Sequence, residues 1–496
     1  MIGAIVRILA AACFVLSCPI AHPARAEIDM SGVHHFRLAN GLQLVVAVRP
    51  DLKLAAVNTT VDLGAIDDPP GQWGMAHLLE HVTLQGSVAI GTLNPKAEAV
   101  ALDELDRAFA ALDRERRKTT PDPVVLTGLE RWFDEAQEAA SRLAESGEMI
   151  GARLEERGAV GLNAATTTDS THFFTWIPPD QVIIWLALEA NRLRYPVLRR
   201  FYGERSIVLR EVTAMTGGRT TLAERFLQDL FAGAAMAHPL AGDLAQISAI
   251  DRPAAMDYFH RFYRPENITI AIVGNVDPAT VFELTEQYFA GWQPQGAHEM
   301  PRARLFQAPP LSDARSRIFA TSQGPALYFA FPRLGDGARA QAVLEALAAT
   351  INNPDTSPVL RRLAGEQGVA TGVRAVPGYP SQKQTAIFLV QTFGRSGIAG
   401  SALERETVAA LRSLADASDE DLRAGILSAE LHAATQLEDV PTLASLLAFH
   451  QAVHQDWRVP FVQLDWLQHL SADDVRQAAR QMFGGLTPGP AATAGR

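Results

Sequence analysis

Cysteine is almost absent from this chain: Cys13 and Cys18 are the only two in 496 residues. That excludes a disulfide scaffold and a cysteine-rich zinc cluster, so any metal site must draw on His, Asp and Glu. Positive charge is also short. Against 44 Lys and Arg stand 55 Asp and Glu, a formal net charge of −11, which provides no electrostatic footprint for nucleic acid. No apolar run is long enough to span a bilayer. The longest, Ile8 to Ala21, falls short of the ~20 residues a spanning helix needs. What is present is ordinary for a globular protein: 48% hydrophobic and 20% charged residues. The length exceeds what one core uses, since single cores stop growing at about 250–300 residues.

The first 26 residues have a targeting grammar. Arg7 precedes the apolar stretch Ile8–Ala21, and Ala24-Arg25-Ala26 precedes Glu27. A charged start, a short apolar core and a small-x-small site predict a secretory signal peptide cleaved after Ala26. The alternative is a lipoprotein, with Val15-Leu16-Ser17-Cys18 as lipobox and Cys18 acylated. The Ala- and Arg-rich, Lys-poor composition points to a GC-rich bacterium, so the expected location is periplasmic or secreted. Both cysteines lie in this leader, so the mature chain is expected to have none and to carry no transmembrane anchor.

Along the rest of the chain the pattern predicts two α+β domains. In the first (27–292), apolar runs flank Asn40-Gly41, a hairpin signal because both residues tolerate positive φ. Leu54–Leu63, Ala159–Ala165, Thr171–Ile177 and the β-branched Ile268–Gly274 predict strands. Gly74–Gln85, Pro179–Leu193, Phe201–Met215 and a segment starting at Asp277-Pro278 predict helices. Residues 92–158 differ in texture. They are rich in Ala, Glu, Asp and Arg, with Leu102, Leu105, Phe109 and Leu112 at helical spacing, which predicts a helical insertion acting as a spacer. Residues 293–312, with four prolines counting Pro294 just inside, predict a linker. The second domain (313–485) repeats the grammar: strands at Ile318–Thr321, Ala326–Phe331 and Thr385–Thr392, helices at Ala338–Ile351 and Ala402–Leu414. A Pro, Ala and Gly tail (486–496) follows. Ser248 and Ser471 stand in similar contexts ahead of helices ending at Phe262 and Phe483, a weak internal echo.

Chemistry concentrates in Gly74-Met75-Ala76-His77-Leu78-Leu79-Glu80-His81. On a helix His77 and His81 share a face and reach one ion, and Glu80 borders that face. Two imidazoles suit Zn²⁺, and a catalytic site needs one further protein ligand and an open position for water. Glu80 is placed to move that water's proton. The intervening Leu78 and Leu79 point to the core. The competing reading is a helix with two half-buried histidines and an exposed Glu. His450 and His454 form a second i,i+4 pair with no Glu between them, and His34-His35 fall on opposite faces of a strand; neither pair reads as a metal site.

The segment resembles the signature of peptidase family M16, the pitrilysin, insulinase and mitochondrial processing peptidase inverzincins. Gly161-Leu162-Asn163-Ala164-Ala165-Thr166 is similar to the family's edge strand. Phe201-Tyr202-Gly203-Glu204-Arg205-Ser206-Ile207-Val208-Leu209-Arg210-Glu211 is similar to its ligand helix. Ala237-His238-Pro239 and Tyr263-Arg264-Pro265-Glu266-Asn267 match further motifs. The resemblance implies two related α+β domains of the LuxS/mitochondrial-processing-peptidase metallohydrolase type. It implies one Zn²⁺ held by His77, His81 and Glu211, with Glu80 as general base and Glu204 supporting the site. It implies that Asn163 and Ala164 align an extended peptide substrate. The interval from His81 to Glu211 is longer than in the family, and the insertion accounts for the surplus.

Two features depart from the family pattern. Many members carry an Arg and a Tyr in the second domain that contact substrate; the matching positions here are Ala364 and Thr371. The family's last strand is also not evident after Phe483. The expected protein is therefore an exported zinc metalloendopeptidase acting on peptides or unfolded protein segments. It would work as the zinc-bearing subunit of a hetero-oligomer whose M16-like partner supplies the Arg/Tyr pair, or as a homodimer. The alternative is a non-catalytic M16-like subunit or peptide-binding scaffold.

Overall fold

A computed structural model describes residues 30–145, 149–217, 220–232, 237–239, 241–293, 311–383 and 387–488. The expected signal peptide with both cysteines, nearly all of the expected linker and most of the expected tail lie outside the described residues.

The chain forms a mixed α/β structure with two sheets. The first contains β1 (Val33–Arg37), β2 (Gln43–Val48), β3 (Ala55–Val61), β4 (Val160–Thr166), β5 (Thr171–Ile177) and β6 (Ile268–Gly274), in the order β1-β2-β6-β3-β5-β4. All neighbours are antiparallel except β2 and β6. The second contains β7 (Arg315–Thr321), β8 (Gly324–Phe331), β9 (Ala370–Tyr379) and β10 (Ile387–Gly394), fully antiparallel in the order β7-β8-β10-β9. The sheets share a motif: β3-β5-β4 and β8-β10-β9 have the same antiparallel order, and a helix follows β3 and β8 in each case. Among the described residues no strand follows Phe483.

Among the helices of the first half are α1 (Met75–Thr83), α2 (Pro95–Arg116), α3 (Pro123–Ser141), α4 (Met149–Glu155), α5 (Val182–Arg194) and α6 (Phe201–Thr216). Helices α2 and α3 form the expected inserted hairpin, each with Pro at its first turn and an Asn94 or Asp122 side chain capping it. The insertion is more than a spacer. Leu102, Leu105 and Phe109 join the main core, and the buried Glu98 pairs with the buried Arg199, which also holds the carbonyls of Gln85, Ser87 and Ile90.

Each sheet is covered on both faces, which explains why β6 is buried along its whole length. Alternate residues of the first sheet divide between two cores. Val46, Val57, Ile270 and Ile272 join the core that also takes in buried residues of α1, α5 and α6. Val45, Ala56, Ala271 and Val273 face Leu443, Leu447, Trp457 and Phe461 from the C-terminal half. The second sheet reciprocates. One face packs on its own helices, and the other, with Tyr328 and Leu389, packs on Ile66, Phe226 and Phe231 from the N-terminal half. Polar contacts reinforce the seam. Asn58 donates to Ser445 at 2.9 Å, the Gln382 amide donates to Asp169 at 2.6 Å, and Lys383 Nζ bridges Asp62 and Asp67 at 2.6 and 2.9 Å.

Candidate metal centre

The start of α1 is fixed by a buried acid. Asp68 accepts from the amides of Gly74 (2.7 Å) and Ala76 (2.9 Å) and from the Tyr258 hydroxyl (3.2 Å). Those amides have no intrahelical acceptor, so the carboxyl satisfies them. Burial pushes the Asp68 carboxyl up to about 7 against these three donors. Gly74 enters the helix at φ 101°, and a Cβ there would stand 2.5 Å from Ile247. Only glycine fits on both counts. Leu78 and Leu79 are fully buried, which turns His77 and His81 to the opposite side.

Helix α6 packs beside α1 and presents Glu204 and Glu211, two turns apart on one face. Glu211 Oε2 lies 3.6 Å from His77 Nε2 and 3.3 Å from His81 Nε2. The three donor atoms fall within 4.8 Å of one another, the one such group among the described residues. Ligands about 2.0–2.1 Å from a tetrahedral ion stand roughly 3.3 Å apart, so the donor set fits a divalent ion of that size. Glu211 is 45% exposed against 18% and 17% for the histidines, which leaves an open side toward solvent.

The surroundings hold these groups in place. Glu204 Oε2 lies 3.5 Å from His81 Nδ1, on the other edge of the ring from Glu211. Gln85, one turn after His81, donates to Glu204 at 3.1 Å. Burial lowers the pKa of His77, and the neighbouring His81 adds to this against the pull of Glu211; a neutral ring is the form that offers a lone pair. For His81 burial acts downward too, but the Glu204 contact and the charges of Glu211 and Glu80 raise its pKa overall. Glu80 is 9% exposed, and burial raises its carboxyl pKa against a 2.6 Å hydrogen bond from Thr166. The sequence alone assigns no role to Gln85 or Thr166. The i+4 spacing of Gln85 from His81 is the one local signal for the first; Thr166 stands at the end of a strand motif, with nothing local linking it to Glu80.

Asn163 and Ala164 lie on β4, which pairs with β5 on one side and forms the free edge of the sheet. An irregular register between Val160 and Asn163 and the positive φ of Gly161 end regular pairing there. The edge runs alongside α1 and is tied to Glu80 through Thr166. Ala364 and Thr371 bring no charge or ring to this side. Arg361 and Arg362 nearby are paired with Asp421 and Glu406, so neither stands free in place of an arginine at 364. His450 and His454 stack at 5.2 Å, and among the described residues no third ligand completes a metal-sized group with them. On β1, His35 is bound to Gln43 at 2.7 Å.

Residues 249–426 match the family described as peptidase M16 inactive domain; the match does not include His77, Glu80, His81 or Glu211. The chain is 23% identical over 260 residues to a protein named probable zinc protease PqqL of Haemophilus influenzae, covering 51% of this chain and 23% of that protein. It spans less than half the length of the curated relatives it matches. Its fold is similar to that of a protease from Helicobacter pylori, with a TM-score of 0.70, 20% identity and coverage of 91% and 96% of the two chains. It is also similar to the periplasmic protease PqqL of Escherichia coli, with a TM-score of 0.61, 14% identity and coverage of 91% and 46%.

Proposed function

We propose that this chain, M16-like in its matched domain and in its fold, is an exported zinc-dependent endopeptidase that hydrolyses peptides or unfolded protein segments. One observation carries the reading: two histidines of α1 and a glutamate of α6 converge beside a buried carboxylate and a free strand edge. Zinc, when held by His77, His81 and Glu211, would polarise a scissile carbonyl and acidify water. The chain's own residues supply the rest. Edge strand β4, through Asn163 and Ala164, would hydrogen-bond an extended peptide along its backbone, which aligns an amide without reading side chains closely. Glu80 accepts a proton from the attacking water as the new C–O bond forms. It then delivers that proton to the amine nitrogen as the C–N bond breaks. Burial raises its carboxyl pKa, which strengthens it as a proton acceptor. Glu204 orients His81 from the far edge of the ring.

Export is supported by the leader in the sequence and by the periplasmic PqqL neighbour. The missing Arg/Tyr pair at Ala364 and Thr371 supports a hetero-oligomer whose M16-like partner supplies it, or a homodimer. A second reading, a non-catalytic M16-like subunit or peptide scaffold, draws on the match to an inactive domain.

Glu80→Gln separates them. The variant should retain zinc and lose cleavage of an internally quenched peptide, with or without the candidate partner. Undiminished cleavage by Glu80→Gln would sink the mechanism. A zinc-loaded wild type that cleaves nothing, alone or with its partner, would establish the scaffold reading.

A further inference from the structure

The C-terminal half contains a cavity of about 800 Å³, a size usual for small-molecule sites. Residues of this half alone line it, on the helices Ala338–Asn352, Asp419–Glu438, Val440–His454 and Val459–His469, on the end of β9 and on neighbouring loops. It is therefore separate from the α1–α6 centre.

Its polar groups form two sets. On one wall Arg333 Nη2 donates to Gln341 at 3.3 Å, and Gln341 Nε2 donates to Glu345 at 3.1 Å. A guanidinium and a carboxyl are thus held one amide side chain apart. His432, His450 and His454 contribute to the remaining wall. Two buried polar atoms have no hydrogen-bond partner, Nε of Arg333 and Nδ1 of His450, and His450 is only 6% exposed. Arg333 has no ion pair among the described residues. The Arg333 guanidinium thus lines the cavity without a counter-charge of its own, and its hydrogen bond to Gln341 goes to a neutral amide.

The charge pattern narrows the ligand. The lining has one arginine and one acid; burial raises the Glu345 carboxyl's pKa against hydrogen bonds from Gln341 and Gln463, so its charge is favoured by an incoming cation, and burial keeps His450 neutral, with a pKa of about 3. A polyanion such as a phosphate ester would meet only one cation and an adjacent acid. A molecule with one charge of each sign matches both. The guanidinium fork suits a carboxylate, and the alanines that line much of the rest leave room for a short apolar body.

We propose that this cavity binds a zwitterionic small molecule of the amino-acid or dipeptide class, with its carboxylate on Arg333 and its ammonium group on Glu345. The inference does not rest on the protease reading.

Calorimetric titration of the full chain tests it, with alanyl-alanine, its N-acetyl form, its C-terminal amide and inorganic phosphate as probes. Alanyl-alanine should saturate one site, and either capped form should bind at least about tenfold more weakly. Arg333→Gln should weaken the dipeptide by a similar factor and leave the amide unchanged. If Arg333→Gln fails to fold, Ala433→Leu, which fills the cavity from a partly exposed wall, should abolish binding while keeping the thermal midpoint. The proposal is overturned if no probe binds the folded wild type up to about 10 mM. Equal affinity for free and capped dipeptides, or displacement of alanyl-alanine by phosphate, overturns it as well.

Discussion

The Thr166 hydroxyl donates a 2.6 Å hydrogen bond to Oε2 of Glu80, joining the free edge of the first sheet to the helix that carries both histidines. The strand that would align a peptide and the carboxylate that would move its proton are thereby held in one frame. The bond also lowers the carboxyl's pKa, against a larger upward push from burial. In Thr166→Val the pKa of Glu80 should rise further. A base must be ionised to act, so the acid limb of the kcat/KM–pH profile should move to higher pH. Activity at neutral pH should fall by roughly tenfold with zinc content unchanged, and Thr166→Ser should restore both. A profile that does not move would assign Thr166 a structural role only.

Metal affinity should fall in a definite order. His77→Ala and Glu211→Gln each remove one of three proposed donors and should leave the dialysed protein with little zinc by elemental analysis. Glu204→Ala removes only the group behind His81 and should weaken zinc by about 10–100-fold in a chelator competition. Equal loss in Glu204→Ala and His77→Ala would place Glu204 among the ligands instead.

The seam between the halves should be sensitive at Lys383. Burial works against its ammonium, but Asp67 and Asp62 hold its pKa above the ordinary lysine value. Lys383→Met leaves two carboxylates facing each other without their cation. The expected cost is about 3 kcal/mol, measured by denaturant unfolding, and Asp67→Asn added to it should recover part of the loss. A single variant as stable as wild type would show that the apolar cores alone hold the halves together.

Acid should destabilise the fold through buried imidazole. His172 is bound to Thr60 at 2.9 Å and to Ser170 at 2.8 Å, and burial depresses its pKa to about 4. Between about pH 6.5 and 4 the unfolded chain takes up a proton that the folded chain refuses, so stability falls as pH falls through that window. The contribution to the slope approaches about 1.4 kcal/mol per pH unit. In His172→Gln the acid limb of the stability curve should be shallower; an unchanged limb would mean that His172 protonates in the folded state.

The parts legible in the sequence are those decided locally. Strand β6 spans the expected residues and the helix Pro278–Phe289 starts at the expected place, because a β-branched run and an Asp277 cap with Pro at the first turn are local signals. Strand β9 is not legible in the sequence. Its Gly372, Pro377 and Gly378 argue against a strand, and it forms because β10 pairs with it. The insertion's helices were evident from their apolar spacing. Their attachment through Glu98 to Arg199 was not, since nothing local links residues a hundred positions apart.

The sequence by itself determined the chemistry available: no cysteine beyond position 18, an H-x-x-E-H turn that must place two imidazoles on one helix face, and two leucines that must turn inward. Those outcomes follow from helix geometry and from composition. The tertiary structure decided how that chemistry is completed. It brought Glu211 within 3.6 Å of both histidines, set Gln85 behind Glu204 and Thr166 on Glu80, and enclosed Arg333 and His450 in one cavity. Each of these depends on how separate elements pack, and packing is fixed by the burial of two sheets on both faces rather than by any local pattern.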